Sequence, residues 1–140
     1  MFKRVAAGIL SALNVLLGRE VHGRLLGAFM KALNDGDATL LKMLLREDAI
    51  YINDSGGHRP AASRPVCGAR RIIRLLTGLA RRYQQPEDSV SAMPALVNGS
   101  DALLVYLNGG LVQMWTVSTD GVHIMAVYVV SNPEKLARLA

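Results

Sequence analysis

The chain has 140 residues, 51% of them hydrophobic, a formal net charge of +5 and one cysteine. That length and apolar content suit a single domain with a real core and exclude a disordered chain. One thiol, Cys67, excludes a disulfide framework and a thiolate metal cluster; a packed or half-buried thiol in a reducing cytoplasm is the expectation, and a catalytic cysteine the alternative.

The opening Met1-Phe2-Lys3-Arg4 is basic, and Val5 to Leu17 is mostly apolar. Phe2, Val5, Ile9, Leu13 and Leu16 recur at helical spacing. The run is too short for a membrane span, which needs about 20 apolar residues. It ends Gly18-Arg19-Glu20, with no small-x-small cleavage site. Residues 1–18 are therefore expected to form an extra N-terminal helix that packs on the domain, residues 19–140, or on a partner. A signal or surface anchor is the alternative.

Val21, Leu25, Ala28, Phe29 and Ala32 make an amphipathic helix that stops at Asn34-Asp35-Gly36. Asp37 is placed to cap a second helix with a buried stripe of Leu40, Leu41, Leu44 and Leu45. Ala49 to Asn53 reads as a short strand, and Pro60 to Ser63 as a second one at an edge, where proline is tolerated. Gly68 opens a third helix, with Ile72, Leu76, Leu79 and Tyr83 on one face and Arg70, Arg74 and Arg81 on another. The period then changes. Ser89–Val97, Ala102–Leu107, Leu111–Ser118 and Val122–Val130 read as four strands. They are joined at Asn98-Gly99, Asn108-Gly109 and Asp120-Gly121, steps that supply the positive φ of tight hairpins. Helices on one face of a curved antiparallel sheet give an α+β fold, which over a long helix forms a cone.

Three pieces of the chain carry a family resemblance. The first is Phe29 to Asp37 followed by Leu44 to Ala49. The second is Asp54-Ser55-Gly56-Gly57-His58-Arg59-Pro60, running on to Pro65-Val66-Cys67-Gly68. The third is Asn132-Pro133-Glu134-Lys135-Leu136, with Val97-Asn98-Gly99 between. Together they resemble the SnoaL-like branch of the nuclear transport factor 2-like fold. The likeness is to the C-terminal accessory domain of a group of extracytoplasmic-function sigma factors, and it covers roughly residues 19 to 140. Two positions depart from that pattern. Ser55 stands where the family has its first glycine of an Asp-Gly-Gly-Gly-basic loop, and His58 stands where it has lysine or arginine. The polymerase-binding and promoter-reading domains of such sigma factors are not in this sequence. The expectation is an accessory domain standing free, or the remnant of a split or truncated gene.

The resemblance implies a non-catalytic regulatory domain that contacts a sigma factor core or RNA polymerase. The docking candidates are then Asp54, Ser55, Gly56, Gly57 and His58 with Asn132, Pro133, Glu134 and Lys135. The alternative is an enzyme of the ketosteroid-isomerase-like kind, an isomerase, cyclase or hydrolase acting on a small apolar substrate. Such an enzyme needs a base inside the cone. The strands carry no acid between Ala102 and Thr119, and Asp54 with His58 is the one plausible couple, so no catalytic residue is assigned. A third reading is a pocket for a small apolar ligand, lined by Tyr51, Tyr106, Gln113, Trp115, His123 and Tyr128; core filling is its bland counterpart. His123 by alternation shares a face with Met125, Val127 and Val129.

Apolar residues on both faces of Leu103–Leu107 and Val122–Val130 suit burial on two sides, hence a homodimer. No cofactor or metal is expected, and Gly56-Gly57 lacks a phosphate-loop ending. The arginines read as a basic helix surface with few interleaved aromatics, so no direct nucleic-acid binding is expected.

Overall fold

The computed structural model describes residues 6–56, 64–82 and 90–139. In chain order these form α1 (Ala6–Leu17), α2 (Val21–Asp35), α3 (Ala38–Leu44), β1 (Leu45–Asp54), β2 (Val66–Cys67) and α4 (Ala69–Arg82). They continue as β3 (Val90–Val97), β4 (Ser100–Leu107), β5 (Gly110–Thr119), β6 (Ile124–Val130) and α5 (Pro133–Ala137). One six-stranded sheet runs β2-β1-β6-β5-β4-β3. The β3–β6 meander is antiparallel, as its hairpin steps predict, and Asn98, Gly99, Asn108 and Gly109 all take positive φ. β1 joins it as a parallel neighbour of β6, with Tyr51 opposite Val127 and Asp54 opposite Val130. The architecture is the α+β cone, with the helices over one face of the sheet.

The core lies between that inner face and the helices. Phe29, Leu26 and Ala32 of α2, Leu41 of α3 and Ile72 of α4 are wholly buried against Leu103, Trp115, Val117, Val127 and Val129 of the strands. Full burial of a side chain such as Phe29 contributes about 1.5–3 kcal/mol. α2 ends at Gly36 in the left-handed region (φ 69°), and the Asp37 carboxylate accepts the Leu40 N–H at 3.0 Å to start α3. α2 is also tied to the sheet by polar groups. His22 Nε2 hydrogen-bonds the Val117 carbonyl. Arg19 lies 3.7 Å from Asp101, whose carboxylate occupies the space that a side chain on Gly23 would need.

Three elements differ from their sequence reading. Leu45 leaves the helix (φ −83°, ψ 133°) and starts β1, opposite Ile124. The polar run Arg46-Glu47-Asp48 hides this half of the strand, where the register slips between Leu45 and Ile50. Val66–Cys67, paired with Tyr51 and Ile50, is the short partner of β1, and Cys67 is exposed there rather than packed, because this two-residue strand is at the sheet's border; the Pro60–Ser63 strand lies outside the described residues, as does Tyr83. β6 begins at Ile124 rather than Val122. Asp120 Oδ1 accepts the N–H groups of Val122 (2.9 Å) and His123 (2.7 Å), which folds both residues into the turn.

α1 packs on α2 and β3. Leu13 and Leu16 are fully buried and Ala12 nearly so. The contact is close because Gly27 of α2 has no side chain. A Cβ there would sit 2.9 Å from Leu16 Cβ and 3.2 Å from the Leu13 carbonyl oxygen. Gly27→Ala is therefore expected to destabilise by about 1–3 kcal/mol through overpacking. It does so against a helix-propensity gain of about 1 kcal/mol. Urea unfolding checks this: an unchanged or higher midpoint would mean that α1 is not seated on Gly27.

Candidate functional site

β1 and β6 run side by side and end together, so the chain segments that follow them meet. The Ser131 N–H donates to the Asp54 carbonyl at 2.8 Å, and Ser131 Oγ bonds Asn53 Oδ1 at 2.9 Å. Beyond this point the chain turns through Ser55 and Gly56 on one side and enters α5 on the other. Asp54 Oδ1 accepts the Gly56 N–H at 3.1 Å, the side chain mimicking a backbone turn. Its second oxygen pairs with Lys135 Nζ. Asn132 caps α5, its Oδ1 accepting the Glu134 N–H at 3.0 Å, and Pro133 fills the first helical position. Gly56 (φ 68°) lies flat against that cap: a Cβ there would fall 2.7 Å from Asn132 Cγ. Leu136, 4% exposed, pins α5 to the body.

The described parts of the two stretches that resemble the sigma-factor pattern, Asp54 to Gly56 and Asn132 to Leu136, thus lie against each other. Gly56, Pro133, Glu134 and Lys135 are exposed, while Asp54 and Asn132 are half-buried beneath them. Ser55, at the departing position, is 4% exposed and faces inward. Gly57 and His58 lie outside the described residues. The Lys135 ammonium, joined by the Gly56 N–H and the Asn132 side chain, holds the Asp54 carboxyl below the ordinary aspartate value of 3.8. An aspartate held so is a weak base, suited to anchoring charge rather than taking up protons at neutral pH.

The six aromatic and polar residues proposed from the sequence as a pocket lining divide between the two faces of the sheet. Tyr51, Gln113 and Trp115 are on the inner face, with Trp115 opposite both Leu103 and Val129. Trp115 Nε1 donates to Gln113 Oε1 at 3.0 Å. Burial raises the Tyr51 pKa, against a hydrogen bond to the Asn53 side chain that lowers it. Tyr51, Asn53 and Ser131 therefore make a polar line along the inner face. Tyr128 is opposite Thr116 and 38% exposed, on the other face from Val127 and Val129. Tyr106 alternates with Val105 and so shares the outer face with Leu104. The register slip after Val105, which sets Tyr106 opposite Leu111, was not visible in the sequence. His123 sits half-buried in the β5–β6 turn, outside the strand. Asn53, Ser131 and His22 were not singled out from the sequence, although Asn53 and Ser131 directly flank the two motifs.

At the other end of β1, Arg46 bridges Asp48 (2.5 Å) and Asp120 (3.6 Å), tying the β5–β6 turn to β1. Among the described residues no three His, Cys, Asp or Glu side chains are grouped as metal ligands would be. No described helix is long and apolar enough to cross a membrane.

No protein-family model matches the chain. It is 35% identical over 78 residues to the ECF RNA polymerase sigma factor SigJ of Mycobacterium tuberculosis, a match covering 56% of this chain and 25% of that protein. The crystal structure of the same sigma factor superposes with a TM-score of 0.66 at 25% identity, over 82% of this chain and 43% of the other. The chain thus spans a quarter of the curated relative that it matches. An NTF2-like protein of unknown function from Cytophaga hutchinsonii has a TM-score of 0.56 at 15% identity, with 85% and 96% of the two chains covered. An NTF2-like protein from Burkholderia xenovorans has 0.55 at 16%, with 82% and 92% covered. The latter two share the fold alone. The chain is SnoaL-like in fold and resembles the sigma-factor accessory domain in sequence.

The clamp makes a pH prediction. The folded-state pKa of Asp54 is depressed, so its stabilising contribution is present above the unfolded value and fades as pH falls through the folded one. By carboxyl-carbon NMR, Asp54 is expected to titrate below an ordinary aspartate, and Lys135→Met is expected to move it upward. Equal titration in both proteins would mean that the pair does not form in solution.

Proposed function

We propose that the chain is a non-catalytic regulatory domain that docks on a sigma factor core or on RNA polymerase. The docking surface is formed by Asp54–His58 and Asn132–Lys135. One observation carries this reading: two motifs about 80 residues apart are clamped into one exposed surface by the Lys135–Asp54 pair. The likeness to SigJ supplies the class of partner. A rigid turn and a short capped helix present backbone and charge in a fixed geometry, which lowers the ordering cost of binding. Gly56 lets the turn lie directly on the Asn132 cap, which fixes the two stretches against each other. The exposed Glu134 carries charge that a partner can read.

The test is capture from lysate of the source organism, with the retained proteins identified by mass spectrometry. Wild type is expected to retain a sigma factor or a polymerase subunit. Asp54→Ala/Glu134→Arg, folded by circular dichroism, is expected to retain at least ten-fold less. Absence of both partner types from the wild-type eluate sinks the reading.

The inner face supports a second role compatible with the first. Trp115, Tyr51 and Gln113, with the Tyr51–Asn53–Ser131 line, suit a small apolar ligand bearing one or two neutral hydrogen-bonding groups. The enzyme alternative draws little support from Asp54, which is tied to Lys135 and held in its charged form. Trp115 is the only tryptophan, so its emission reports the inner face. Titration with a panel of apolar alcohols and ketones is expected to shift or quench it saturably for at least one member. A flat response across the panel would remove the ligand role. The homodimer is part of the same proposal. It would pair through the outer face of the sheet, where Met93 (53%) and Tyr128 (38%) are exposed.

A further inference from the structure

The net charge is not spread over the molecule. From Ser55 to Pro86 the chain carries seven arginines, no lysine and no acid; the rest carries nine bases against eleven acids. All of the net positive charge therefore belongs to one 32-residue segment, and α4 lies within it.

α4 is turned so that its apolar stripe is spent on the core. Ala69, Ile72 and Leu76 are buried, with Ile73, Leu75 and Leu79 packed beside them. The exposed positions of α4 with described side chains are Arg70, Arg71, Arg74 and Gly78, and Arg64 is exposed just upstream. Arg70 and Arg74 are one helical turn apart, about 6 Å along the axis, and Arg71 flanks them. Elsewhere in the molecule Arg19, Arg46 and Lys135 each have a carboxylate partner. Among the described residues, Arg64, Arg70, Arg71 and Arg74 have none, as is true of the more scattered Arg24, Lys31, Lys42 and Arg138; what sets α4 apart is that its arginines are grouped in a segment without any acid.

We infer that the arginine face of α4 binds the phosphate backbone of double-stranded nucleic acid without reading its sequence. This revises the expectation drawn from the sequence, and it is independent of the docking surface described above. Three features select this occupant. Guanidinium groups match phosphate oxygens bidentately, and the segment's fixed positive charges are all arginines, with no lysine. Folded-protein interfaces are anchored by apolar or aromatic side chains at their centre. The exposed positions named above are arginine and glycine alone, so an entirely anionic partner fits them better. A membrane would need an apolar face to bury, and that of α4 is already in the core. The same lack of aromatics argues against single strands, which bind by base stacking.

The probe is a 20-base-pair DNA duplex in two unrelated sequences, measured by fluorescence anisotropy across a salt series. Both sequences are expected to bind equally. If three phosphates are neutralised, affinity falls about forty-fold between 50 and 200 mM salt. Arg70→Gln/Arg71→Gln/Arg74→Gln is expected to abolish that dependence. Arg24→Gln/Lys31→Gln/Lys42→Gln removes the same charge from exposed positions on α2 and α3, and is expected to retain most of the binding. Equal loss in both variants would mean a general charge effect and overturn the inference. So would absence of duplex binding at 50 mM salt. Tighter binding to poly-glutamate or to phosphatidylserine vesicles than to the duplex would overturn it in favour of an acidic protein or a lipid surface.

Discussion

The parallel pairing of β1 with β6 is the constraint on which the rest of the molecule depends. A meander of four antiparallel strands closes through tight hairpins and needs nothing from the first half of the chain. The parallel pair cannot form that way, because its strands are separated by β2, α4 and the first three strands of the meander. Once formed, it puts Tyr51 beside Val127 and Asn53 beside Val129, so α2, α3 and α4 all cover the face that the meander offers. It also ends both strands at one level. The turn after Asp54 and the start of α5 then meet without either segment reaching for the other.

What was legible in the sequence follows from this. Local signals worked where structure is local. The helix stripe of α2, the Asp37 cap, and the Asn-Gly hairpins with their positive φ could all be read from neighbouring residues. Non-local structure was hidden. The polar run Arg46 to Asp48 concealed half of β1 because its partner is more than 70 residues away. Faces were legible only as far as alternation survives. The slips at Val105/Tyr106 and Ser118/Thr119, and the turn that absorbs His123, break a count taken along the chain. The two motifs at Asp54 and Asn132 were visible separately, but no periodicity could say that Lys135 closes on Asp54.

That closure is not a large source of stability. The Asp54 and Lys135 side chains are about a third and a half exposed, and exposed ion pairs contribute about 0–1 kcal/mol. Its effect is on shape. Asp54 satisfies a turn with one oxygen and holds a helix with the other, so the two segments share one anchor. The charges around α4 are arranged the other way: they are left without carboxylate partners among the described residues and carry no conformational duty there. Within one small domain, then, some charges set geometry and others remain available.

The order of the strands has a further consequence. The sheet is open, with β2 at one end and β3 at the other. β2 is only two residues long, and β3 carries Pro94 in its middle, opposite Leu103. A proline has no N–H to offer, and a two-residue strand is a poor template, so neither border invites another chain to add on as a strand. Neither of these two edge strands is suited to edge-to-edge stacking, despite the apolar, β-rich second half. Recognition is thereby left to its turns, its helices and the broad faces of the sheet.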